Sequence, residues 1–314
     1  MSTGGAVNKD SLLNTLSKEL ANTVETAGAS VVTVHDGRHR PASGTVCARD
    51  LVLMADHSLG QEEEITVRTG DGRTLPAAFA GRDSSTDLAL LRVANLSIDA
   101  PAVSTEPVRV GSLVIALGRS WGGGLTASAG VVGAIGGPVR RGRGPEVERV
   151  IRADVSLRPG FSGGALIDAA GRAVGIATAG LMRGVPLAVP IDIAWRVAGQ
   201  LGTDGRIKRG YLGIGTQPVR IPPPQRVGRD QDHGLIVLAV SEDSPAARGG
   251  LMVGDIVVGF DGQPVGDPDE LLALLDGARV EKRVIVEVLR AGVLRSLDVK
   301  VGELGAGERG RRSG

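Results

Sequence analysis

Short apolar runs separated by glycines and polar turns fill the first two hundred residues, the signature of many short strands. One set covers 29–34, 44–47, 51–55, 64–68 and 88–93, with Gly70-Asp71-Gly72-Arg73 as a hairpin turn, and predicts a first barrel. A second set covers 113–117, 125–135, 148–154, 164–168, 173–178 and 187–189 and predicts another. Helical spacing appears at the edges of this region. Over 11–26, Leu12, Leu13, Leu16, Leu20 and Val24 fall on one face of an amphipathic helix, a stripe expected to pack on the protein itself. After Pro190, 191–201 reads as a helix and 202–208 as a polar, glycine-containing link. Beyond it, 221–232 is proline-rich and charged, the pattern of a mobile loop. Asp267-Pro268-Asp269-Glu270 then opens a helix carrying Leu271, Leu272, Leu274 and Leu275, some of them core residues and one or two groove residues. The tail from Gly305 is expected to be disordered.

At 314 residues, with 36 Lys and Arg against 35 Asp and Glu, the chain allows two domains with substantial cores and argues against a nucleic-acid binder. Aromatic residues make up only 2%, so Val, Leu, Ile and Ala must build those cores. Cys47 is the single cysteine, which excludes an internal disulfide, and it sits in an alternating strand pattern as core filler rather than as a nucleophile. No basic segment with an apolar core and cleavage site opens the chain, and no stretch is apolar enough to cross a bilayer. These readings predict a cytoplasmic location, or a periplasmic or other extracytoplasmic one if the true N-terminus lies further upstream.

Candidate chemistry lies in three places. Ser162 sits in Arg158-Pro159-Gly160-Phe161-Ser162-Gly163-Gly164-Ala165-Leu166, where glycines permit sharp turns and close approach of a substrate backbone. A serine needs a base to take its proton and a third group to orient that base. His57 follows the apolar run 51–55, and Asp87 leads into the run 88–93. Alone, each has an ordinary structural reading as a turn, cap or strand-end residue. Together, each beside a predicted strand, they point to a Ser-His-Asp relay.

The chain resembles the HtrA/DegP family, trypsin-like double β-barrel proteases with a C-terminal PDZ domain. The matching residues are Val52-Leu53-Met54-Ala55-Asp56-His57, Thr86-Asp87-Leu88-Ala89-Leu90-Leu91, Gly118-Arg119-Ser120-Trp121-Gly122 and 154–164 around Ser162. In the second half, Tyr211-Leu212-Gly213-Ile214 matches the family's carboxylate-binding loop, and Ser244-Pro245-Ala246-Ala247 with Gly254-Asp255-Ile256-Val257 matches its turn and helix. The expected fold is therefore mainly β: a trypsin-like double β-barrel followed by a smaller α+β PDZ domain. The expected division is an N-terminal helical segment (1–27), a protease domain (28–200), a linker (201–209), a PDZ domain (210–304) and a tail (305–314).

The resemblance implies an ATP-independent endopeptidase that cleaves unfolded or damaged polypeptides without a cofactor or metal. Ser162 is the expected nucleophile, His57 the general acid/base and Asp87 its orienter, with the Gly160 and Ser162 N–H groups as oxyanion donors. Tyr211, Leu212, Gly213 and Ile214 would receive peptide C-termini, the peptide adding to the neighbouring strand. Between Asp154 and Ser162 no acid could attract a basic P1 side chain, and Ala177, Ala179, Leu181, Leu187 and Val189 offer apolar walls, so a small or medium aliphatic P1 residue is expected. A homotrimer fits the family, although its usual N-terminal aromatic contacts are lacking, since no Phe, Tyr or Trp precedes Phe79.

Two departures support a different reading, a catalytically silent peptide-binding or chaperone-like scaffold. Phe161 stands where the family has Asn or Asp, so the oxyanion loop must be held some other way. Asp56 stands where a small apolar residue is usual, and is expected to point outward. Other features carry less. Arg140, Arg141 and Arg143 read as a solvated hairpin, Gly122-Gly123-Gly124 lacks the ending of a phosphate loop, and His35 and His39 lack a third zinc ligand.

Overall fold

A computed structural model describes residues 9–304 apart from 38, 61, 120–123, 141–145, 183–184, 227–229 and 276. The expected tail, Arg141, Arg143, Ser120, Trp121, Gly122 and Gly123 lie outside the described residues. The chain forms two compact units, Met1–Ile207 and Lys208–Gly314.

The first unit holds two closed six-stranded barrels. In the first barrel β1 (Val31–His35), β2 (Ala42–Ala48), β3 (Leu51–Ala55), β4 (Ile65–Arg68), β5 (Thr74–Asp83) and β6 (Leu88–Val93) run in the order β1-β2-β3-β6-β5-β4, and β4 closes on β1. Val32, Val34, Val46, Val52, Met54, Val67 and Leu91 fill its interior. On β3 and β6 the alternate residues Leu53, Leu88 and Leu90 are buried on the outside as well, against a second cluster. Burial on both faces is why these strands read as unbroken apolar runs instead of alternating ones.

The second barrel uses β7 (Leu113–Gly118), β8 (Thr126–Gly136), β9 (Val150–Ala153), β10 (Ala165–Asp168), β11 (Ala173–Thr178) and β12 (Leu187–Pro190) in the order β9-β12-β11-β10-β7-β8, closed by β8 on β9. A short hairpin of Val139–Arg140 with Glu146–Val147 stands off it. Helix α2 (Ile191–Asp204) runs three residues past its expected end and stops where Gly205 adopts φ 68°, a left-handed cap that glycine takes without steric cost. Its apolar face, Ile193, Ala194, Val197 and Leu201, packs with Leu53, Leu90 and Ile176. Ile207 joins that cluster, so 201–207 belong to the first unit rather than to a free link.

Helix α1 (Lys9–Gly28) corrects the expectation for the N-terminal stripe. Leu20, Val24 and Ala27 pack on Val31, Ile115, Leu117 and Ile167, whereas Leu12, Leu13 and Leu16 are more than half exposed. A helix of this length spans about 30 Å, and only its C-terminal half lies against the barrel.

The second unit is a sheet of β13 (Ile214–Arg220), β14 (His233–Val240), β15 (Ile256–Phe260), β16 (Arg283–Arg290) and β17 (Val293–Lys300) in that order, with Gln263–Pro264 pairing on β15. Two short helices accompany it: α3 (Pro245–Arg248), capped by the Ser244 hydroxyl, and α4 (Pro268–Leu274), which begins with an Asp267/Glu270 capping box. Buried Asp255 receives a forked pair of hydrogen bonds from Arg290 at 2.7 and 2.8 Å and a third from the Met252 N–H at 2.9 Å. Burial alone would push its carboxyl up, but these bonds outweigh that and hold it below the usual carboxylate range. Of the stretch 221–232, expected as a mobile loop, the two ends are anchored, while 227–229 lie outside the described residues. Ile221 is buried against Val258 and Leu289, and its N–H donates to the Asp232 carbonyl at 2.7 Å.

Candidate active site

Strand β3 ends in a single 3₁₀ turn, Asp56–Ser58, which presents His57 at the rim of the first barrel with its side chain 29% exposed. Strand β6 pairs with β3 in register Ala55↔Leu88, so the residue just before β6, Asp87, arrives beside that turn. Asp87 is fully buried and sits at φ 57°, a left-handed conformation that aspartate tolerates better than most residues. Its two oxygens are divided. Oδ2 accepts the His57 Nδ1–H at 2.6 Å and Oδ1 accepts the His57 backbone N–H at 3.0 Å.

Thr178, the last residue of β11, donates its hydroxyl to Asp87 Oδ2 across the gap between barrels. Burial pushes the Asp87 carboxyl up, yet the bonds from His57 and Thr178 together with the imidazole charge outweigh it and hold the carboxyl below its ordinary value. An ionised orienter of this kind fixes the imidazole with Nδ1 protonated and Nε2 free to accept.

The two residues after Thr178 complete the arrangement. The Ala179 N–H donates to Ser162 Oγ at 3.3 Å. Gly180 lies so close to the couple that a Cβ there would come within 2.4 Å of both Asp87 Oδ2 and His57 Nδ1. Thus the segment Thr178-Ala179-Gly180 touches all three residues singled out by the sequence. His57 and Asp87 are bonded directly. Ser162 and His57 share no hydrogen bond in this structure, a contact that commonly tightens only with substrate in place. Thr178 is the residue sequence reasoning missed.

Around Ser162 the chain turns sharply. Pro159 and Gly160 occupy the centre of a turn closed by the Phe161 N–H on the Arg158 carbonyl at 3.0 Å, with Gly160 at φ 93°. Proline followed by a glycine at positive φ is the sequence demand of a type II turn. That bond leaves the Gly160 and Ser162 N–H groups without an acceptor among the described residues.

Both sequence departures have local explanations. Phe161 is 3% exposed and packs in the core of the second barrel with Val155 and Leu166, so its ring anchors the loop from below. Asp56 is buried rather than turned outward as expected. Its carboxylate accepts from Ser84 at 2.8 Å and pairs with Arg82 at 3.2 Å, which directs it away from the imidazole. A buried carboxylate requires such partners. The scaffold reading therefore loses the two residues that supported it.

The expected P1 walls divide. Leu181, Leu187 and Val189 belong to the cluster beneath α2, and Ala179 is exposed. Cys47 is set apart from this chemistry, since burial pushes its thiol up to about 12. Among the described residues no cluster of His, Cys, Asp or Glu could hold a metal ion, and His39 is engaged with Asp36 at 2.8 Å.

In the second unit, Leu212 is buried and its carbonyl accepts the Ala246 N–H at 2.9 Å, while the Gly213 carbonyl accepts the Ser241 N–H at 2.8 Å. Gly213 has φ 82°, and a Cβ there would meet the Ser244 side chain at 2.3 Å, so the position requires glycine. Tyr211 pairs with Gly302. Ile214 begins β13, the edge strand of the sheet, and α4 lies against that strand. Leu271 and Leu275 face the core, Leu274 packs at its margin and Leu272 is exposed.

Comparison with known proteins agrees with this architecture. Residues 42–176 match the family model of the trypsin-like peptidase domain and residues 210–301 that of the PDZ domain. A protein of Pseudomonas putida named a probable periplasmic serine endoprotease DegP-like is 34% identical over 282 residues, covering 85% of this chain and 58% of that protein. A protein of the same name from Halomonas elongata is 34% identical over 273 residues, covering 85% and 57%. The chain thus spans somewhat over half the length of these curated relatives. Among solved structures, the HtrA-type protease AlgW with a tripeptide is 30% identical with TM-score 0.73, covering 90% of this chain and 97% of that one. The serine endoprotease from Yersinia pestis is 27% identical with TM-score 0.75, covering 91% and 98%.

The relatives' names overturn the cytoplasmic expectation, because they describe probable periplasmic endoproteases. That expectation leaned on the first residues of the chain, and where a sequence begins does not report its compartment. No described helix is long and apolar enough to cross a membrane. Two closed barrels followed along the chain by a PDZ domain, matched nearly end to end by a solved relative, place the chain in the HtrA/DegP-like family of trypsin-fold serine proteases.

Proposed function

We propose that the chain is a serine endopeptidase acting on unfolded or damaged polypeptides, with Ser162 as nucleophile, His57 as general acid/base and Asp87 as its orienter. The observation that carries this reading is the Thr178-Ala179-Gly180 segment, which bonds Asp87, bonds Ser162 and abuts His57. In the first step His57 Nε2 takes the Ser162 proton as Oγ attacks the scissile carbonyl, and the new imidazolium is stabilised by Asp87. The Gly160 and Ser162 N–H groups then face the developing oxyanion, each donor contributing roughly 3 kcal/mol to the transition state. The imidazolium returns its proton to the leaving amine, and water releases the acyl group by the same relay. A fluorophosphonate probe incubated with the purified chain tests this directly. Labelling mapped to Ser162, accompanied by cleavage of unfolded casein, is expected; labelling elsewhere, or none, sinks the assignment.

Peptide C-termini are the proposed ligands of the PDZ unit. A terminal carboxylate would meet the backbone N–H groups of Tyr211-Leu212-Gly213-Ile214 while the peptide extends along β13 as an added strand. Gly213→Pro removes one N–H and cannot adopt φ 82°. Binding of a hydrophobic C-terminal peptide, measured by fluorescence anisotropy, is expected to fall at least ~10-fold in this variant. Equal affinity in parent and variant would exclude the loop as the binding site.

Two further parts of the proposal concern context. Assembly as a homotrimer is supported by the exposed Leu12-Leu13-Leu16 face of α1, apolar surface that a monomer leaves in water. Sedimentation velocity reads the state, and a monomer at every concentration tested would remove it. Periplasmic action is carried by the names of the relatives, and fractionation of cells producing the full-length protein would locate it.

A further inference from the structure

Two buried hydroxyls on β2 stand outside the relay. Ser43 and Thr45 have no exposed surface, and being two residues apart on a strand they share one face. Ala42 and Val46 on the opposite face fill the first barrel, so the hydroxyl face looks outward from it. Both hydroxyls meet the loop of the second barrel that carries Ser162. Ser43 Oγ donates to the Gly160 carbonyl at 2.6 Å and accepts the Arg119 N–H at 2.8 Å. Thr45 Oγ1 donates to the Gly163 carbonyl at 2.9 Å. Ser162 lies between the two carbonyls so held.

We propose that Ser43 and Thr45 are positioning residues, a two-point clamp through which the first barrel sets the orientation of the oxyanion turn. The inference rests on the reading of Ser162 as nucleophile. The Gly160 carbonyl and the Phe161 N–H belong to one rigid peptide plane. Ser43 holds the oxygen of that plane, and the Arg158 carbonyl holds its N–H. The plane separates the two oxyanion donors, Gly160 N–H and Ser162 N–H, so fixing it fixes their directions relative to each other. On the far side, the Gly163 N–H is held by the Ala177 carbonyl at 2.8 Å while Thr45 holds the Gly163 carbonyl. The residue that supports Ser43 is itself tethered, for Arg119 Nε donates to the Val31 carbonyl at 2.7 Å.

The clamp explains how the turn is secured with Phe161 in it. A phenyl ring anchors by packing and makes no hydrogen bond to the loop. Polar fixation then comes from hydroxyls that reach in from the other barrel. Oxyanion donors act through preorganisation, so a loosened turn lowers transition-state binding and leaves ground-state binding intact.

The test compares Ser43→Ala, Thr45→Val and Thr45→Ser with the parent on a chromogenic peptide with a small aliphatic P1 residue. The same peptide is also used as a boronic acid, which forms a tetrahedral adduct facing the oxyanion donors, and as an unreactive amide. Ser43→Ala is expected to lower kcat by roughly 10- to 100-fold, less than the loss of a direct oxyanion donor, and to weaken the boronic acid by a similar factor. KM and the affinity for the amide stay within about 2-fold, as uniform binding is untouched. Thr45→Val is expected to move the same way by about 10-fold and Thr45→Ser to restore the parent, since only the methyl is lost. Should Ser43→Ala fail to fold, the threonine pair decides. Parental kcat in both Ser43→Ala and Thr45→Val, or equal losses for boronic acid and amide, overturns the clamp while leaving Ser162 as nucleophile. A parent enzyme that fluorophosphonate does not label at Ser162 overturns the underlying reading instead.

Discussion

A chain with alanine in place of Ser162 is expected to cleave unfolded casein about 10⁶-fold more slowly than the parent, and His57→Ala to fall by a similar factor. The double variant should be no slower than either single one. In the proposed relay nucleophile and base form one unit: without the imidazole the hydroxyl keeps its proton, and without the hydroxyl the imidazole has nothing to activate. The residual rate in every variant belongs to substrate binding and to the Gly160 and Ser162 N–H groups, which the substitutions do not touch. Active-site titration guards against contamination, because a trace of parent enzyme mimics a residual rate. Multiplying losses in the double variant would mean that the two residues act in separate steps, and cleavage by Ser162→Ala at the parental rate would mean that the hydroxyl is not the nucleophile.

What the sequence made legible follows from how each element is buried. Strands β3, β6 and β11 match their expected bounds because apolar residues occupy both of their faces. Strand β5 went unrecognised, since Pro76, three alanines and Gly81 give it little contrast between faces. Its Gly81 marks a bulge where a Cβ would strike the Gly205 carbonyl at 2.3 Å. His57, Asp87 and Ser162 were readable because each follows or leads a clear apolar run. Thr178 had a signal that could have found it: one hydroxyl at the end of an apolar strand, buried where solvent would otherwise be expected. Asp56 was misjudged because its partner, Arg82, is supplied by β5, the unrecognised strand. Ser43 and Thr45 were hidden differently. On a lone barrel their face of β2 would be the solvent side, and only the second barrel covers it.

Replacing Asp87 by asparagine should lower kcat by about 10⁴-fold with little change in KM. The amide is nearly isosteric: its carbonyl oxygen can take the Oδ1 place and keep the bond from the His57 backbone N–H, which leaves its NH2 at the Oδ2 place, where the Thr178 hydroxyl can turn to accept, so the barrels need not move. What changes is the ring. An amide N–H aimed at Nδ1 makes that nitrogen an acceptor, which places the imidazole proton on Nε2 and removes the lone pair that must receive the Ser162 proton. Stability should respond to pH in the opposite sense to an unpaired acid. The native Asp87 carboxyl lies below its unfolded value of about 3.9, so its stabilising increment is complete above that pH and disappears as pH falls through the lowered native value. The difference in unfolding free energy between parent and Asp87→Asn should therefore shift against the parent in acid, below about pH 4, as Asp87 takes up its proton and the parent loses this increment. Urea denaturation at a series of pH values measures it. A difference that does not change in acid would mean that Asp87 is not held as a buried carboxylate, and would remove the charge that fixes the tautomer of His57.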